Sequence, residues 1–439
     1  MIFSKTYFPK IETQSLYLKL KYIVSHKPSF MKIFNILIFL MGVHSIAAQN
    51  PNAFKNEMKV ELNEILSYWE KNSVDVEKGG FYGAVDVNNA PNTQADKGLI
   101  LNSRILWTFS AAYQMVPKPG YKKLADRAFN YLNTYFWDTK NKGAYWSVKS
   151  NGTPSDTHKQ VYAEGFMLYA FAEYYKISKN PQALEKAKSI YQILQTNCKD
   201  LKNGGYYEAY NEAWTPIEDK TITEGKADQK KSMNTHLHLI EAFGNLYQVY
   251  PNKNLKAEIE SMLDIFHEKI IANGKTQTLF FTDDWSPRSE AVSFGHDIES
   301  AWLLLETAET IKNPTWIKKM KTLAVNMAIE AEKGIDPTDG GMWNEKNQGH
   351  INTQKHWWPQ AEAMVGYYNA YHLTGNKKFY ELSLGSWSFI KANLKSTSGE
   401  WLWGIDEKQE PMIRNGKIGP WKGPYHNGRA CMEMLKRIH

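Results

Sequence analysis

The chain alternates between two kinds of helix-length hydrophobic pattern. In the first kind, apolar residues recur at spacings of three and four, which predicts a helix with one buried face. Two examples are Phe54, Met58, Leu62, Ile65, Leu66 and Trp69, and then Leu255, Ile259, Met262, Leu263, Phe266 and Ile270. The second kind is apolar on most sides, as in 100–113, 165–175 and 301–308, and predicts a helix surrounded by protein. We therefore expect half-exposed and buried helices to alternate.

A short glycine-aromatic motif lies between each half-exposed segment and the buried segment that follows it. The motif recurs about every sixty residues, except for one interval of about twice that length. The aromatic segment 278–281 lies near the middle of this long interval, where a further copy is expected. Its copies are Gly80-Phe81-Tyr82, Gly143-Ala144-Tyr145-Trp146, Gly205-Tyr206-Tyr207, Gly341-Met342-Trp343 and Gly399-Glu400-Trp401-Leu402-Trp403. The spacing predicts six repeats of two helices each.

Six half-exposed helices packed around six buried ones predict an all-α fold, an (α/α)6 barrel with an inner and an outer ring. The motifs all connect an outer helix to an inner one, so we expect them at one end of the barrel as short β-hairpins. An open solenoid of helix pairs is the alternative, although it leaves its second helices less uniformly buried. No linker-like stretch interrupts the chain after residue 50, so 49–439 is expected to form a single domain.

The N-terminus carries the pattern of a targeting segment. Met31 and Lys32 precede an apolar run over 33–43 and small residues over 45–48, as in a signal peptide. The run is too short to span a bilayer comfortably. Residues 1–30 are interpreted as an over-extended start, with translation beginning at Met31. We expect 31–48 to be cleaved, leaving an exported protein, periplasmic or secreted, with no membrane span.

Composition narrows the classes of partner. Aromatic residues make up 13% of the chain, which suits either a large helical core or a carbohydrate site where rings stack on sugar C–H faces. The net charge of +7 is spread over many lysines without a dense basic block, which indicates a solvated surface and not a nucleic-acid site. Cys198 and Cys431 follow no metal or redox spacing and are expected to be buried thiols. Monomer and dimer both stay open.

If the motifs share one end of the barrel, the first turns of the buried helices line the same mouth. Five of the twelve histidines fall at or just before those helix starts. The polar and aromatic residues gathered there are Lys97, Arg104, Tyr162, Glu164, Asn234, His236, His238, His296, Glu299, His356, Trp357, Trp358, Glu362, Trp421 and His426. The pattern therefore predicts a site centred on histidines.

Three chemistries suit such a site. A catalytic metal is one, because His296 and Glu299 share a helix face, but no HExxH-type pair is present. Glycoside hydrolysis is the second and needs two flanking carboxylates. Candidates for those are Glu164, Glu241, Glu299 and Glu362. Proton transfer at carbon is the third, since imidazoles with a pKa of ~6.5 both accept and donate protons. A helical-repeat binding protein without catalysis is a further alternative.

Five motifs, in order, resemble the N-acylglucosamine 2-epimerase superfamily. They are Lys97-x6-Arg104, 231–238, 293–299, 356–362 and 421–430, and the resemblance runs from about residue 54 to 437. The Pro-Tyr-His-Asn form around His426 and the glutamine in Trp357-Trp358-Pro359-Gln360 are most similar to the cellobiose 2-epimerases. That family has an (α/α)6 barrel, in agreement with the repeat count.

The resemblance implies a sugar 2-epimerase that works through a cis-enediolate, without NAD or a metal. Rotation about C2–C3 presents the other face of that intermediate. The substrate implied is a β-1,4 disaccharide, and the export signal gives mannobiose equal standing with cellobiose. An (α/α)6 hydrolase or lyase is the alternative. By motif, His426 and His296 form the acid/base pair at C2 and His238 opens the sugar ring. The residues expected to hold the sugar or orient the histidines are Arg104, Tyr162, Asn234, Glu299, Trp358, Glu362 and Trp421.

Overall fold

The computed structural model describes residues 50–219, 222 and 228–439, so the predictions for residues 1–48 concern a part of the chain outside this range. Residues Pro51–His439 form one compact unit. The α-helices of the described residues are α1 (Pro51–Asn72), α2 (Leu99–Met115), α3 (Pro119–Tyr131), α4 (Val161–Ser178), α5 (Pro181–Ile193), α6 (Met233–Val249), α7 (Lys253–Ile265), α8 (Phe294–Thr310), α9 (Pro314–Ala331), α10 (Trp357–Thr374), α11 (Lys377–Phe389) and α12 (Tyr425–Arg437).

The even-numbered helices form an inner ring and the odd-numbered ones an outer ring. In α4, for example, every residue from Val161 to Tyr174 is buried. Each inner helix packs against the next, and α12 packs back against both α1 and α2. This last contact closes the ring, which confirms the (α/α)6 barrel and is incompatible with an open solenoid. None of the helices in the described range is both long and apolar enough to cross a membrane.

Local sequence signals set where the outer helices begin. Asn180, Asn252, Asn313 and Asn376 each cap a helix by accepting a backbone N–H from the first turn. Proline occupies the first turn of α3, α5 and α9, where its missing N–H costs nothing. Several outer helices continue into a wider or tighter turn: π-helical Leu132–Phe136, Leu194–Cys198, Phe266–Ile270 and Ile390–Leu394, and 3-10 Glu332–Gly334.

Short strands join neighbouring repeats at one end of the barrel. The strand before an inner helix pairs with the strand that follows the next motif, as β1 pairs with β2 and β11 with β12. A bridge between Val85 and Ile418 joins the last repeat to the first. The strands are β1 (Lys97–Gly98), β2 (Ser147–Val148), β3 (Pro154–Asp156), β4 (Lys159–Gln160), β5 (Ala209–Tyr210), β6 (Lys231–Ser232), β7 (Phe280–Phe281), β8 (Val292–Ser293), β9 (Glu345–Asn347), β10 (His350–Asn352), β11 (Lys355–His356) and β12 (Gly404–Ile405).

The expected β-hairpins are only partly present. Five motifs are closed by a single β-bridge, such as Trp137 with Ala144, and the pairings of two or three residues mostly join successive repeats. The motif glycines allow these tight turns. Gly143 and Gly205 have φ of +68° and +75°, a region that favours glycine, and a Cβ at Gly205 would lie 2.6 Å from His236 Nε2.

Buried ion pairs hold the motif end together. Lys159 lies two residues before α4, and its Nζ donates to Asp138 Oδ2 at 3.0 Å, with both side chains almost fully buried. The same pairing recurs in other repeats, with Lys97 on Asp75 at 2.9 Å, Lys231 on Asp200 at 2.7 Å and Lys355 on Asp336 at 2.7 Å. Lys97, which the sequence placed at the mouth, therefore fixes the connection between two helices.

Candidate active site

A subset of the polar residues predicted at the mouth supports the turns instead of the site. Glu164 Oε1 accepts the backbone N–H of Ala144 at 2.7 Å, and His236 Nε2 accepts that of Tyr206 at 2.9 Å. Gln360, which the sequence did not assign to the mouth, does the same for Met342 at 2.7 Å. Each lies in the first turn of an inner helix and fastens that helix to its own motif. These side chains satisfy buried backbone groups that water cannot reach.

A cavity of about 230 Å³ opens at the motif end of the barrel. It brings together nine of the ten site residues predicted from the sequence. The tenth, Glu362, lies beneath it and contacts His426. The lining residues are Arg104, Tyr162, Asn234, His238, His296, Glu299, Trp357, Trp358, Trp403, Trp421 and His426. All six inner helices contribute. Five of them, α4, α6, α8, α10 and α12, do so from the first turn, as the repeat predicted, whereas α2 contributes Arg104 from its second turn.

Each of the three lining histidines is oriented through its Nδ1 atom. His426 Nδ1 donates to Glu362 Oε1 at 2.7 Å, and His238 Nδ1 donates to Glu241 Oε2 at 3.0 Å. His296 Nδ1 lies 2.8 Å from the hydroxyl of Ser293. A donated Nδ1–H leaves the lone pair on Nε2, at the opposite edge of the ring. His238 and His426 therefore turn a basic nitrogen toward the cavity that they line.

The indole of Trp358 contacts two of these histidines. Its ring centroid is 4.5 Å from that of His296 and 5.7 Å from that of His426. The ring of Tyr162 packs edge-on against His238 at 5.2 Å. Two imidazoles thus contact the same indole, and the third lies beside a phenol.

Arg104 and Tyr162 form a polar edge of the cavity. Arg104 Nη2 donates to the Tyr162 hydroxyl at 3.0 Å, and its Nη1 donates to the Trp421 carbonyl at 2.6 Å. Burial raises the pKa of Tyr162 to about 12, so the phenol stays protonated. A guanidinium and a neutral phenol are donors suited to an oxygen that gains negative charge.

A network of three carboxylates on one guanidinium lies beneath the cavity. Arg429 Nη2 donates to Glu299 Oε1 at 2.5 Å and to Glu362 Oε1 at 2.7 Å, while Nη1 donates to Glu241 Oε1 at 2.5 Å. Tyr425 also donates its hydroxyl to Glu241 at 2.6 Å. The acids come from α6, α8 and α10 and the guanidinium from α12, so this network exists only when the barrel has closed.

Burial and these charges set the protonation states. Burial lowers the pKa of His296 to about 3. Burial, then the guanidiniums of Arg104 and Arg429, hold the pKa of His426 well below its usual range. Both imidazoles are therefore neutral at rest and able to accept a proton.

The carboxylates differ from one another. Burial alone would raise the pKa of Glu241, but Arg429 and the hydrogen bond from His238 lower it to about 2. Burial, and then the charge of Glu362, raises the pKa of Glu299 to about 7. Within the described residues, Glu299 Oε2 has no hydrogen-bond partner. Near neutral pH, Glu299 can thus carry a proton.

Glu299, Glu362 and His426 also place three potential metal-ligand atoms within 4.8 Å of one another. The Arg429 guanidinium donates to both of these carboxylates from a single nitrogen. It already supplies the positive charge that a cation would bring to this group.

Sequence reasoning missed some functional side chains. Trp403 lines the cavity from the last motif, although its position among the motif aromatics did not distinguish it from core residues. Arg429 was part of a quoted motif, and its i+3 spacing from His426 places both on one helix face. Ser293 precedes His296 by three residues in the same way.

Comparison with known proteins supports the relationship suggested by the motifs. The model of the family "N-acylglucosamine 2-epimerase (GlcNAc 2-epimerase)" matches residues 80–430. A cellobiose 2-epimerase of Bacteroides fragilis is 40% identical over 386 residues, covering 87% of this chain and 98% of the relative. One of Dictyoglomus turgidum is 38% identical, covering 88% of this chain and 98% of the relative.

Comparison with solved structures supports the same family relationship. A cellobiose 2-epimerase from Bacillus thermoamylovorans superposes with a TM-score of 0.83 at 36% identity, covering 88% of this chain and all of that one (100%). A GH76 α-mannanase from Bacteroides thetaiotaomicron reaches a TM-score of 0.61 at 12% identity, covering 89% of this chain and 98% of that one, and shares the fold alone. The chain belongs to the N-acylglucosamine 2-epimerase family and, within it, to the cellobiose 2-epimerase branch of carbohydrate epimerases.

Proposed function

We propose that this sugar 2-epimerase interconverts glucose and mannose at the reducing end of a β-1,4-linked disaccharide, cellobiose or mannobiose. The observation that carries the proposal is a pair of neutral imidazoles, half-buried His296 and buried His426, which both contact Trp358 in one cavity. Inverting a carbon beside a carbonyl requires a base on one face and an acid on the other. Two such imidazoles provide both roles.

The reaction begins with ring opening, for which His238 is positioned beside Tyr162. One imidazole of the pair then removes the proton from C2, and the electron pair of that C–H bond moves toward the C1 carbonyl oxygen. The resulting cis-enediolate oxygen is stabilised by donors such as Arg104. Rotation about C2–C3 presents the other face, and the second imidazole returns a proton to C2. In the reverse direction, the two imidazoles exchange roles.

Tryptophans support a substrate of two sugar rings. Trp357, Trp358, Trp403 and Trp421 all line the cavity. An indole presents a broad apolar face to sugar C–H groups, while its N–H edge stays polar. The relatives named as cellobiose 2-epimerases favour a disaccharide, and the predicted export of this chain keeps mannobiose, a product of mannan degradation, as an equal candidate.

The carboxylates do not suit the alternative of glycoside hydrolysis. A hydrolase places its two carboxyl groups on opposite sides of the scissile bond, about 5–5.5 Å or 6.5–9.5 Å apart. Among the described residues that line the cavity, Glu299 is the one carboxylate, and Glu362 lies beneath it, with both acids on one guanidinium nitrogen. The shared barrel of the α-mannanase therefore lends hydrolysis no support from this site.

We also propose that the protein acts outside the cytoplasm, in the periplasm or as a secreted enzyme. The support is the signal-peptide pattern of residues 31–48. Sequencing the N-terminus of the protein produced in its native host should find a start near Gln49. A mature chain that begins at Met31 would overturn this proposal.

The function is tested by NMR of cellobiose and of mannobiose with the purified protein. We expect the anomeric signals of the C2 epimer to appear, together with deuterium at C2 when the reaction runs in D₂O. His296→Ala and His426→Ala should each abolish turnover while the circular dichroism of the helices is retained. Release of monosaccharides, or full turnover by either variant, would contradict the proposal.

A further inference from the structure

Arg429 lies outside the cavity lining but contacts the partners of two of its histidines. We propose that Arg429 is a positioning residue for epimerisation, which fixes the rings of His238 and His426 through the carboxylates that it holds. The inference rests on the proposed function, because it assigns a role within the same site.

Two series of hydrogen bonds, here called arms, connect the guanidinium to the two histidines. In one arm, Nη1 holds Glu241 Oε1 at 2.5 Å, and the other oxygen of Glu241 accepts from His238 Nδ1 at 3.0 Å. In the other arm, Nη2 holds Glu362 Oε1 at 2.7 Å, and this same oxygen accepts from His426 Nδ1 at 2.7 Å. Each arm is an arginine, a carboxylate and an imidazole in series. One rigid group thus sets the orientation of two histidines that come from different helices.

The guanidinium itself is held in place. It is 2% exposed, and it packs over the ring of Tyr425 at 4.3 Å and over Trp302 at 4.9 Å. The planar guanidinium holds several acceptors in fixed directions, whereas a lysine ammonium is a single point charge. Lysine at this position keeps the charge but cannot hold Glu241, Glu299 and Glu362 together.

The consequence for catalysis is a fixed tautomer. An imidazole whose Nδ1–H is donated to a carboxylate keeps its Nε2 lone pair available to the substrate. Once the guanidinium no longer fixes Glu241 and Glu362, the carboxylates can turn away, and each imidazole can adopt the tautomer with Nε2–H. That tautomer cannot accept a proton at the cavity. Since Arg429 does not line the cavity, its loss should act on kcat and leave KM nearly unchanged.

Helix α12 supplies a matched control. Arg437 lies two turns further along the same helix and also packs over Trp302, at 5.3 Å. Its ion pair is with Glu433, which contacts none of the three histidines. Arg437→Lys therefore changes a partly buried guanidinium on the same ring without touching either arm.

The experiment compares Arg429→Lys and Arg429→Met with Arg437→Lys, using cellobiose and mannobiose. We expect Arg429→Lys to lower kcat by roughly 10- to 100-fold, as for other residues that orient a reacting group, with KM within about threefold. Arg437→Lys should keep kcat within about twofold. Long-range ¹H–¹⁵N spectra report imidazole tautomers. They should show His238 and His426 as Nδ1–H in the unaltered protein and as a mixture in Arg429→Lys, with signals assigned by single His→Gln variants.

Retention of kcat by Arg429→Lys would overturn the proposal, and so would a loss of kcat with unmoved imidazole signals. If neither Arg429 variant folds, the unaltered protein still decides, because an Nε2–H tautomer at His238 and His426 contradicts the two arms. The tautomer spectrum distinguishes a failure of the positioning role from a failure of the proposed function. A protein that turns over neither disaccharide refutes the proposed function, whereas the tautomers test the positioning without any substrate.

Discussion

Replacement of Glu362 by glutamine tests how the site activates His426. The side chain keeps its shape, but one oxygen becomes an N–H₂ group. Glu362 Oε1 accepts from both His426 and Arg429, while Oε2 accepts from Trp302 Nε1 at 3.2 Å. All three neighbours donate, so the amide nitrogen of Glu362→Gln faces a donor in either orientation. The orientation in which the amide nitrogen faces the single indole N–H of Trp302 costs less free energy than the one in which it faces both Arg429 and His426.

The expected losses of kcat and of stability follow from the orientation in which the amide nitrogen faces Trp302. The carbonyl oxygen remains on His426, but a neutral acceptor forms a hydrogen bond about half as strong as a charged one, a loss of about 1–1.5 kcal/mol when the imidazole becomes charged. This corresponds to a kcat roughly 10-fold lower. The unpaired indole N–H costs a further 1–3 kcal/mol, approximately, of folding free energy. KM should change little, since Glu362 does not line the cavity.

Initial rates of cellobiose and mannobiose epimerisation, with thermal melting in parallel, measure both effects. Adding Trp302→Phe to Glu362→Gln removes the opposed donor, so the double variant should melt above the single Glu362→Gln variant while kcat stays low. A Glu362→Gln protein with the kcat of the unaltered enzyme would refute the reasoning. A rise in KM at constant kcat would do the same, because it would place Glu362 in binding.

Three further predictions concern charge. Burial raises the pKa of Glu299 from 4.5 to about 7. Protonated Glu299 therefore stabilises the fold fully below about pH 4.5, and this contribution is lost as the pH rises to about 7. The melting temperature of the unaltered protein, relative to that of Glu299→Gln, should fall across this pH window. Lys159→Met removes the cation paired with buried Asp138 and should lower the free energy of unfolding by about 3–5 kcal/mol. Lys159→Met/Asp138→Asn should recover part of this loss in denaturant titration, because the amide is neutral and its oxygen still accepts the backbone N–H groups of Lys140 and Asn141. Dialysis against EDTA should leave kcat unchanged because Arg429 neutralises the acids, and activity restored only by a divalent ion would contradict this.

Much of the fold followed from periodicity. The alternation of one-sided and all-round apolar segments predicted six helix pairs, and the motif glycines predicted the turns between them. The bridge between Val85 and Ile418 and the packing of α12 on α1 decided between a barrel and a solenoid. These contacts join the two ends of the described chain, so no local pattern could reveal them.

The site, like the fold, was determined partly by the sequence and partly by the tertiary structure. The sequence determined that histidines, acids and tryptophans gather at the first turns of the inner helices. It did not separate His236 from His238, because two residues correspond to about 200° around a helix. One ring therefore binds the turn at Tyr206 while the other lines the cavity.

The network beneath the cavity was decided by tertiary structure alone. Arg429 meets Glu241, Glu299 and Glu362 across sequence separations of 188, 130 and 67 residues. The protonation states of Glu299 and His426 follow from this burial and charge, which exist only in the closed barrel. The sequence by itself determined which chemical groups reach the mouth. Only the packing of four inner helices determined which of them are charged, because burial and neighbouring charge set a pKa and neither is local in sequence.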